Sequence, residues 1–291
     1  MRFLITGGTG FIGKKLCHEL KDHEIFILTR NKNLYQDKTL NYINNIDQRV
    51  FDYDIIINLA GEPISQYWFE GKKKEIYNSR ILLTKEIANH IKLAKKKPSL
   101  FITGSAIGYY GIDNVKCDEN DEIVLNNDLF SQKICHDWES AVDEIKKLRI
   151  VKIRTGIVLG REGGILKKML PPFKLGLGGK IGRGEQYISW IDINDLIKAI
   201  LYIIDNDTIF GAINLTSPNP VTNGEFSKEL AKLLKRPCVF DMPKILVEIL
   251  FGQMGKELLL GGKMVYPKKL LESGFKFDYD KLTNSLSRII K

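Results

Sequence analysis

The residues best equipped for chemistry stand at the start of the chain. In Met1-Arg2-Phe3-Leu4-Ile5-Thr6-Gly7-Gly8-Thr9-Gly10-Phe11-Ile12-Gly13 an apolar run enters a glycine-rich turn and leaves into a helix-like segment. Gly7 allows a tight turn, Gly10 lets backbone N–H groups approach a pyrophosphate, and Gly13 lets the following helix pack closely on the strand. The stretch reads as a nucleotide-phosphate cradle. A second reactive group lies in Ser105-Ala106-Ile107-Gly108-Tyr109-Tyr110-Gly111. Ser105 is expected at the carboxyl end of a strand, where open α/β sheets bind ligands. Tyr109 and Tyr110 follow directly, either reaching a substrate as proton donors or packing at the mouth.

The residue that reads an adenosine ribose usually lies about 20 positions beyond such a turn. Here a short apolar run from Glu24 ends in Thr29-Arg30-Asn31, with no carboxylate to hold a ribose 2′-OH. Arg30 can instead pair with a 2′-phosphate, which points to NADP(H) as the cofactor; the other reading is an exposed arginine at a strand end.

These residues need a sheet to hold them, and the hydrophobic pattern supplies one. Phe11, Ile12, Leu16 and Leu20 have helical spacing over 11–22, and strands are expected over 24–30, 54–61, 99–105 and 149–160. Between them, 74–94 and 128–147 read as amphipathic helices. Strand and helix alternate through about 160 residues, which predicts an α/β protein with a Rossmann-type, doubly wound parallel sheet. Beyond Gly160 a glycine- and proline-rich tract, 163–184, is expected to be a loop with a short helix. Trp190 to Asp195 leads into a helix through Asp205, with Asp192 or Asn194 as its cap. A strand at 211–216 and a capped helix at 222–236 follow. The expected division is a nucleotide domain of residues 1–160 with 188–216 returning to it. A smaller α/β substrate lobe is assigned to 161–187 and 217–291.

Composition excludes more than it selects. The chain has 291 residues, 44% hydrophobic and 27% charged, with no apolar run of the ~18 residues that a membrane span needs. No secretory signal is read at its start, so a cytoplasmic protein with no membrane partner is expected. The formal charge of +9 is spread over scattered lysine pairs and triplets without aromatic interleaving, so nucleic acid is not an expected partner. Cys17, Cys117, Cys135 and Cys238 form no C-x-x-C pair, and no metal site is read.

The chain resembles the extended short-chain dehydrogenase/reductase superfamily, the NAD-dependent epimerase/dehydratase fold, along nearly its whole length. The features that carry this are the glycine turn, Asn58-Leu59-Ala60-Gly61, Ser105 with Tyr110-Gly111, Arg154-Thr155-Gly156-Ile157-Val158-Leu159-Gly160 and Trp190-Ile191-Asp192-Ile193-Asn194-Asp195-Leu196. Asn58 to Ile64, Gly176-Leu177-Gly178-Gly179 and Pro267 to Phe275 resemble the "epimerase family protein" group more closely. That group has its own small C-terminal domain and includes a proposed plastid cell-division factor.

The resemblance implies cofactor contacts at Gly7, Thr9, Gly10, Phe11, Ile12 and Gly13 for the pyrophosphate and at Thr29 and Arg30 for the ribose. It adds Leu59, Ala60 and Gly61 beside the adenosine half, Glu75 and Arg80 from the helix, and Ile157 near the nicotinamide. It also implies a Tyr-x-x-x-Lys pair that this chain lacks. Ser131 and Cys135 hold those places when Trp138-Glu139 sets the register, and no tyrosine occurs between Gly111 and Gln186. Cys135, with an intrinsic pKa of about 8.5, could titrate if a cation lay near, or simply pack. The expected function is therefore an NADP(H)-binding epimerase-like oxidoreductase of a small molecule with a degenerate active site. The alternative is a non-catalytic regulatory or scaffold protein linked to cell division. A homodimer is left open.

Overall fold

A computed structural model describes residues 1–30, 39–46 and 53–291. In chain order its elements are β1 (Arg2–Thr6), α1 (Phe11–Glu19), β2 (Glu24–Leu28), β3 (Asn41–Ile43), β4 (Ile55–Asn58), α2 (Glu70–Leu93), β5 (Leu100–Ala106), β6 (Lys116–Cys117), α3 (Phe130–Ser140), β7 (Arg149–Thr155), β8 (Ile157–Leu159) and α4 (Gly164–Lys174). The chain continues through β9 (Tyr187–Ile188), β10 (Trp190–Asp192), α5 (Ile193–Asp205), β11 (Gly211–Leu215), β12 (Val221–Thr222), α6 (Asn223–Leu233), α7 (Lys244–Met254), β13 (Met264–Val265), α8 (Lys268–Glu272) and α9 (Leu282–Ile290).

Among the described residues, seven strands form a parallel sheet in the order β11-β7-β5-β4-β1-β2-β3. The alternation of strand side chains explains why it is covered on both faces. Phe3, Ile5, Ile55, Ile57, Leu100 and Ile102 enter one core with Leu16 of α1, Leu20 just past its end, and Leu196 and Ile200 of α5. Leu4, Ile56 and Phe101 enter the opposite core with Ile87 and Ile91 of α2. Such strands, buried on both faces, read as near-continuous hydrophobic runs. The chain runs outward from β1 to β3, then returns to β4 on β1's other side. The order thus reverses between β1 and β4, the switch point where ligands bind beyond the carboxyl ends of the strands.

The expected single strand over 149–160 is two strands. Gly156 is the break: its amide donates to Leu215 O at 3.0 Å, while a Cβ there would lie 2.6 Å from Ser189 O. Past it β8 leaves the main sheet and pairs with β10. The glycine- and proline-rich tract contains the eleven-residue helix α4, longer than expected and with Pro171 and Pro172 inside it. A further core joins Leu166 and Phe173 of α4, Trp190, Phe226 and Leu230 of α6, and Leu282, Leu286 and Ile289 of α9. None of the helices of the described residues is long and apolar enough to cross a membrane.

Candidate functional site

The glycine turn lies at the β1–β4 switch point. Gly7 has φ +71°, and a Cβ on it would lie 2.8 Å from the Leu59 carbonyl, so strand β1 and the Leu59-Ala60 backbone meet there without side chains between them. Gly13 packs directly on the Gly7-Gly8 backbone: its Cβ would be 2.2 Å from Gly7 O. Gly10 is exposed and donates to Gly7 O at 2.9 Å. It also stands as the N-cap of α1, which has no side-chain cap and no acidic residue in its first turn. The Phe11 and Ile12 amides therefore keep their donor capacity beside a positive helix end, the arrangement that receives a phosphate. Thr9, Phe11 and Ile12 are half-buried around this turn. The Phe11 ring seats the loop after β8, since a Cβ on Gly160 or Gly163 would fall within 2.5 Å of it.

A buried polar chain fixes the other wall. Thr6 Oγ1 donates to Asn58 Oδ1 at 2.6 Å, Asn58 Nδ2 to Thr84 Oγ1 at 2.7 Å, and Trp138 Nε1 to the same Thr84 oxygen at 2.9 Å. Thr6 Oγ1 also accepts from Ala60 N, which locks the Leu59-Ala60 segment over the turn. Thr84 and Trp138 carry no motif that marks this role; only burial of polar groups side by side reveals it.

Arg80 of α2 lies behind Gly61, whose Cβ would sit 2.8 Å from the guanidinium carbon. Its Nη1 donates to the carbonyls of Glu62 and Ile76, while Nη2 and Nε have no partner among the described residues. Burial depresses its pKa, with Cys135 and Glu62 acting the other way. Glu75 is exposed and paired with Lys72. Thr29 donates its amide to Ile43 O, and Arg30 is exposed, its charge felt at the Glu62 carboxylate. Asn31 lies outside the described residues. Ile157 is half-buried and donates its amide to Ser189 O at 2.8 Å. No group of His, Cys, Asp and Glu suited to a metal ion occurs among the described residues.

The three expected reacting hydroxyls have different surroundings. Ser105 is 5% exposed and donates to Glu139 Oε1 at 2.7 Å, so it faces the α3 interface rather than the mouth. Glu139 is gripped by Arg154 through Nε at 2.8 Å and Nη2 at 2.9 Å. Burial opposes the Arg154 charge, but its bonds to Glu139 outweigh that and raise its pKa. Arg154 Nη1 donates to the Tyr110 hydroxyl, which donates in turn to Asn214 Oδ1. Tyr110 is 2% exposed, and burial pushes its pKa up despite the arginine. It is a strut of this network. Tyr109 differs: it is half-buried, its hydroxyl has no partner among the described residues, and the Arg154 guanidinium stacks 3.5 Å from its ring centroid.

The two replacement positions are also committed. Ser131 donates its amide and hydroxyl to Glu257 Oε2, at 2.8 and 2.7 Å. Cys135 packs against the Gly108 turn, where a Cβ would be 3.3 Å from its sulfur. Burial, helped by Glu139, pushes its pKa up to about 12, although Arg80 and Arg154 pull it down. A cation does lie near, and desolvation still prevails.

With this geometry in place, residues 3–215 match the model of the NAD dependent epimerase/dehydratase family, and residues 242–289 match a domain of unknown function, DUF1731. The chain belongs to the NAD dependent epimerase/dehydratase family. Within that family it is 36% identical over 300 residues to the epimerase family protein YfhF of Bacillus subtilis, covering 100% of this chain and 98% of the relative. It is 35% identical over 302 residues to the epimerase family protein SA0724 of Staphylococcus aureus, covering 100% and 99%. Among solved structures, the human epimerase family protein SDR39U1 (isoform2) with NADPH superposes with a TM-score of 0.89 at 30% identity, over 99% of each chain. The resemblance to the group with a distinct small C-terminal domain therefore holds.

Proposed function

We propose that this family member is an NADP(H)-dependent, epimerase-like oxidoreductase of a small molecule. The observation that carries the reading is the uncapped N-terminus of α1 behind Gly7, Gly10 and Gly13, where added side chains would collide with the backbone at both Gly7 and Gly13. These residues fit a dinucleotide: the Phe11 and Ile12 amides would hold its pyrophosphate, Leu59 and Ala60 would border it, and Ile157 would border the nicotinamide. Arg30 supports the 2′-phosphate form, and Arg80 brings unpaired N–H groups to the same wall. The human relative solved with NADPH has the same fold at 30% identity. Bound NADP(H) supplies hydride transfer. For the accompanying proton, Tyr109 is the remaining candidate, because its hydroxyl is unengaged where those of Ser105 and Tyr110 are not.

Titrating the protein with NADPH and NADH by cofactor fluorescence tests the assignment. Arg30→Ala is expected to weaken NADPH at least tenfold and leave NADH nearly unchanged, a loss consistent with one charge-assisted contact. Equal weakening of both, or no NADPH binding at millimolar cofactor, overturns the NADP(H) reading.

One observation favours a second reading, a cofactor-binding regulatory or scaffold protein. Both places of the usual tyrosine–lysine pair are filled by side chains engaged in packing, Ser131 with Glu257 and Cys135 at the Gly108 turn. NADPH binding without oxidation against a broad carbonyl panel would select it; robust turnover would remove it.

A further inference from the structure

Helix α7 is held by one side only. Val247 is fully buried there, and a Cβ on Gly255 would lie 2.9 Å from its Cγ1. The opposite side is apolar and uncovered: Ile245 and Ile249 are each 71% exposed, and Leu246 and Leu250 beside them are exposed too. At spacings i, i+1, i+4 and i+5 these four form one stripe. At one end Gly252, whose added Cβ would lie 3.6 Å from Tyr67 Oη, brings the helix against the exposed Tyr67. At the other end exposed Phe240 belongs to a short ribbon that runs into α7 through Pro243. In it Phe240 N donates to Gly178 O at 3.2 Å and Gly182 N to Met242 O at 2.8 Å, so the helix starts from a fixed base.

Single exposed apolar residues are ordinary, whereas a large continuous patch marks an interaction surface. At these exposures Tyr67, Phe240, Ile245, Leu246, Ile249 and Leu250 present roughly 600–700 Å² of surface, above the ~300–600 Å² of the largest patch on a typical monomer. With the polar rim that interfaces carry, this meets the about 800 Å² that each partner gives a standard dimer. Charge selects the occupant. The chain carries +9, yet segments 177–182 and 239–250 hold as charged residues only Lys180, Asp241, Lys244 and Glu248. They pair as Lys180–Asp241 and Lys244–Glu248, both at 3.7 Å. Such a neutral face has no cations to draw it onto an anionic bilayer and does not repel its own copy. The stripe is also self-complementary: two α7 helices crossing antiparallel about a two-fold axis between Val247 and Glu248 set Leu246 against Ile249 and Ile245 against Leu250, reciprocally.

We propose that this face of α7 is the interface of a two-fold symmetric homodimer. Residues 242–289, which match a domain of unknown function, thereby gain a role in assembly. Pairing through α7 requires neither cofactor nor turnover, so it stands apart from the oxidoreductase reading.

Sedimentation velocity of the full chain from about 1 to about 100 μM tests it. The wild type is expected to reach twice the chain mass. Ile249→Asp and, separately, Ile245→Asp put a charge into the buried centre and are expected to weaken the dimer at least a hundredfold, with unchanged near-ultraviolet circular dichroism because both positions are exposed in the single chain. Leu93→Asp, exposed at the far end of α2, is expected to leave the dimer intact. A wild type that stays monomeric at about 100 μM, or a dimer that survives both α7 variants, overturns the proposal. A monomer that sediments with phosphatidylglycerol vesicles, and loses them in Ile249→Asp, also overturns it and gives the face to a bilayer.

Discussion

Glu139 and Arg154 stand 15 residues apart on α3 and β7, and their side chains are 7% and 6% exposed. Burying both charges is costly, and the two-point contact with further bonds from Ser105 and to Tyr110 is what offsets it. Removing one charge leaves the other stranded. Glu139→Gln should therefore destabilise the protein by about 3–5 kcal/mol, read as a lower urea midpoint with an unchanged slope. The same network decides which hydroxyls are spent. Ser105 and Tyr110 hold the sheet to α3 and β11, whereas the Tyr109 hydroxyl has no partner among the described residues. Sequence placed all three hydroxyls together, but a residue's position in a motif does not state which way its side chain turns.

At the scale of elements, α6 shows how completely a local signal can specify an end. Thr222 Oγ1 accepts from Glu225 N at 3.2 Å, and Glu225 Oε2 accepts from Thr222 N at 2.7 Å, a reciprocal capping box. Those bonds to Thr222, backbone first and hydroxyl second, hold the Glu225 carboxyl below its usual range. A folded-state pKa below the unfolded one gives stabilisation that is full above about pH 4.3 and is lost as pH falls through the folded value. The stability difference between wild type and Glu225→Gln should therefore shrink from about pH 6 to about pH 3, measured by chemical denaturation. A difference that stays constant would assign the box no charge dependence. By contrast, the end of β7 is not set by its own residues. Arg149 to Leu159 is an unbroken apolar-rich strand pattern apart from Gly156, and the chain leaves the sheet there because Ser189 occupies the space beside it.

Across the whole molecule, Glu257 ties the C-terminal segment to the nucleotide-binding half. It is 4% exposed and accepts from Phe130 N, Ser131 N, Ser131 Oγ and Gln253 Nε2, at 3.1, 2.8, 2.7 and 2.7 Å. Two of these donors are the first amides of α3, so the carboxylate serves as that helix's missing cap and meets its positive end. Glu257→Gln puts an NH2 group against such donors. The expected cost is about 1–3 kcal/mol, with faster amide hydrogen exchange at Phe130 and Ser131 than elsewhere in α3. Uniform exchange along α3 would mean that the segment does not hold the helix end.

What the sequence determined by itself was what depends on near neighbours. The glycine spacing specified a close-packed strand–turn–helix, alternating apolar residues specified strands covered on both faces, and Thr222 with Glu225 specified a helix start. These follow from sterics and periodicity within a few residues of chain. Helix α2 began earlier than its pattern suggested, at Glu70, because Trp68 and Ile76 join a core with Trp138 and Met254. The tertiary structure alone decided the direction of Ser105, the engagement of Tyr110 and the packing of Cys135. Each depends on which group from a distant part of the chain arrives within hydrogen-bond reach, or fails to arrive, once water has been excluded. The glycine turn was legible because glycine is needed wherever backbones touch; the surroundings of Ser105, Tyr109 and Tyr110 were not, because they are set by partners that no local spacing records.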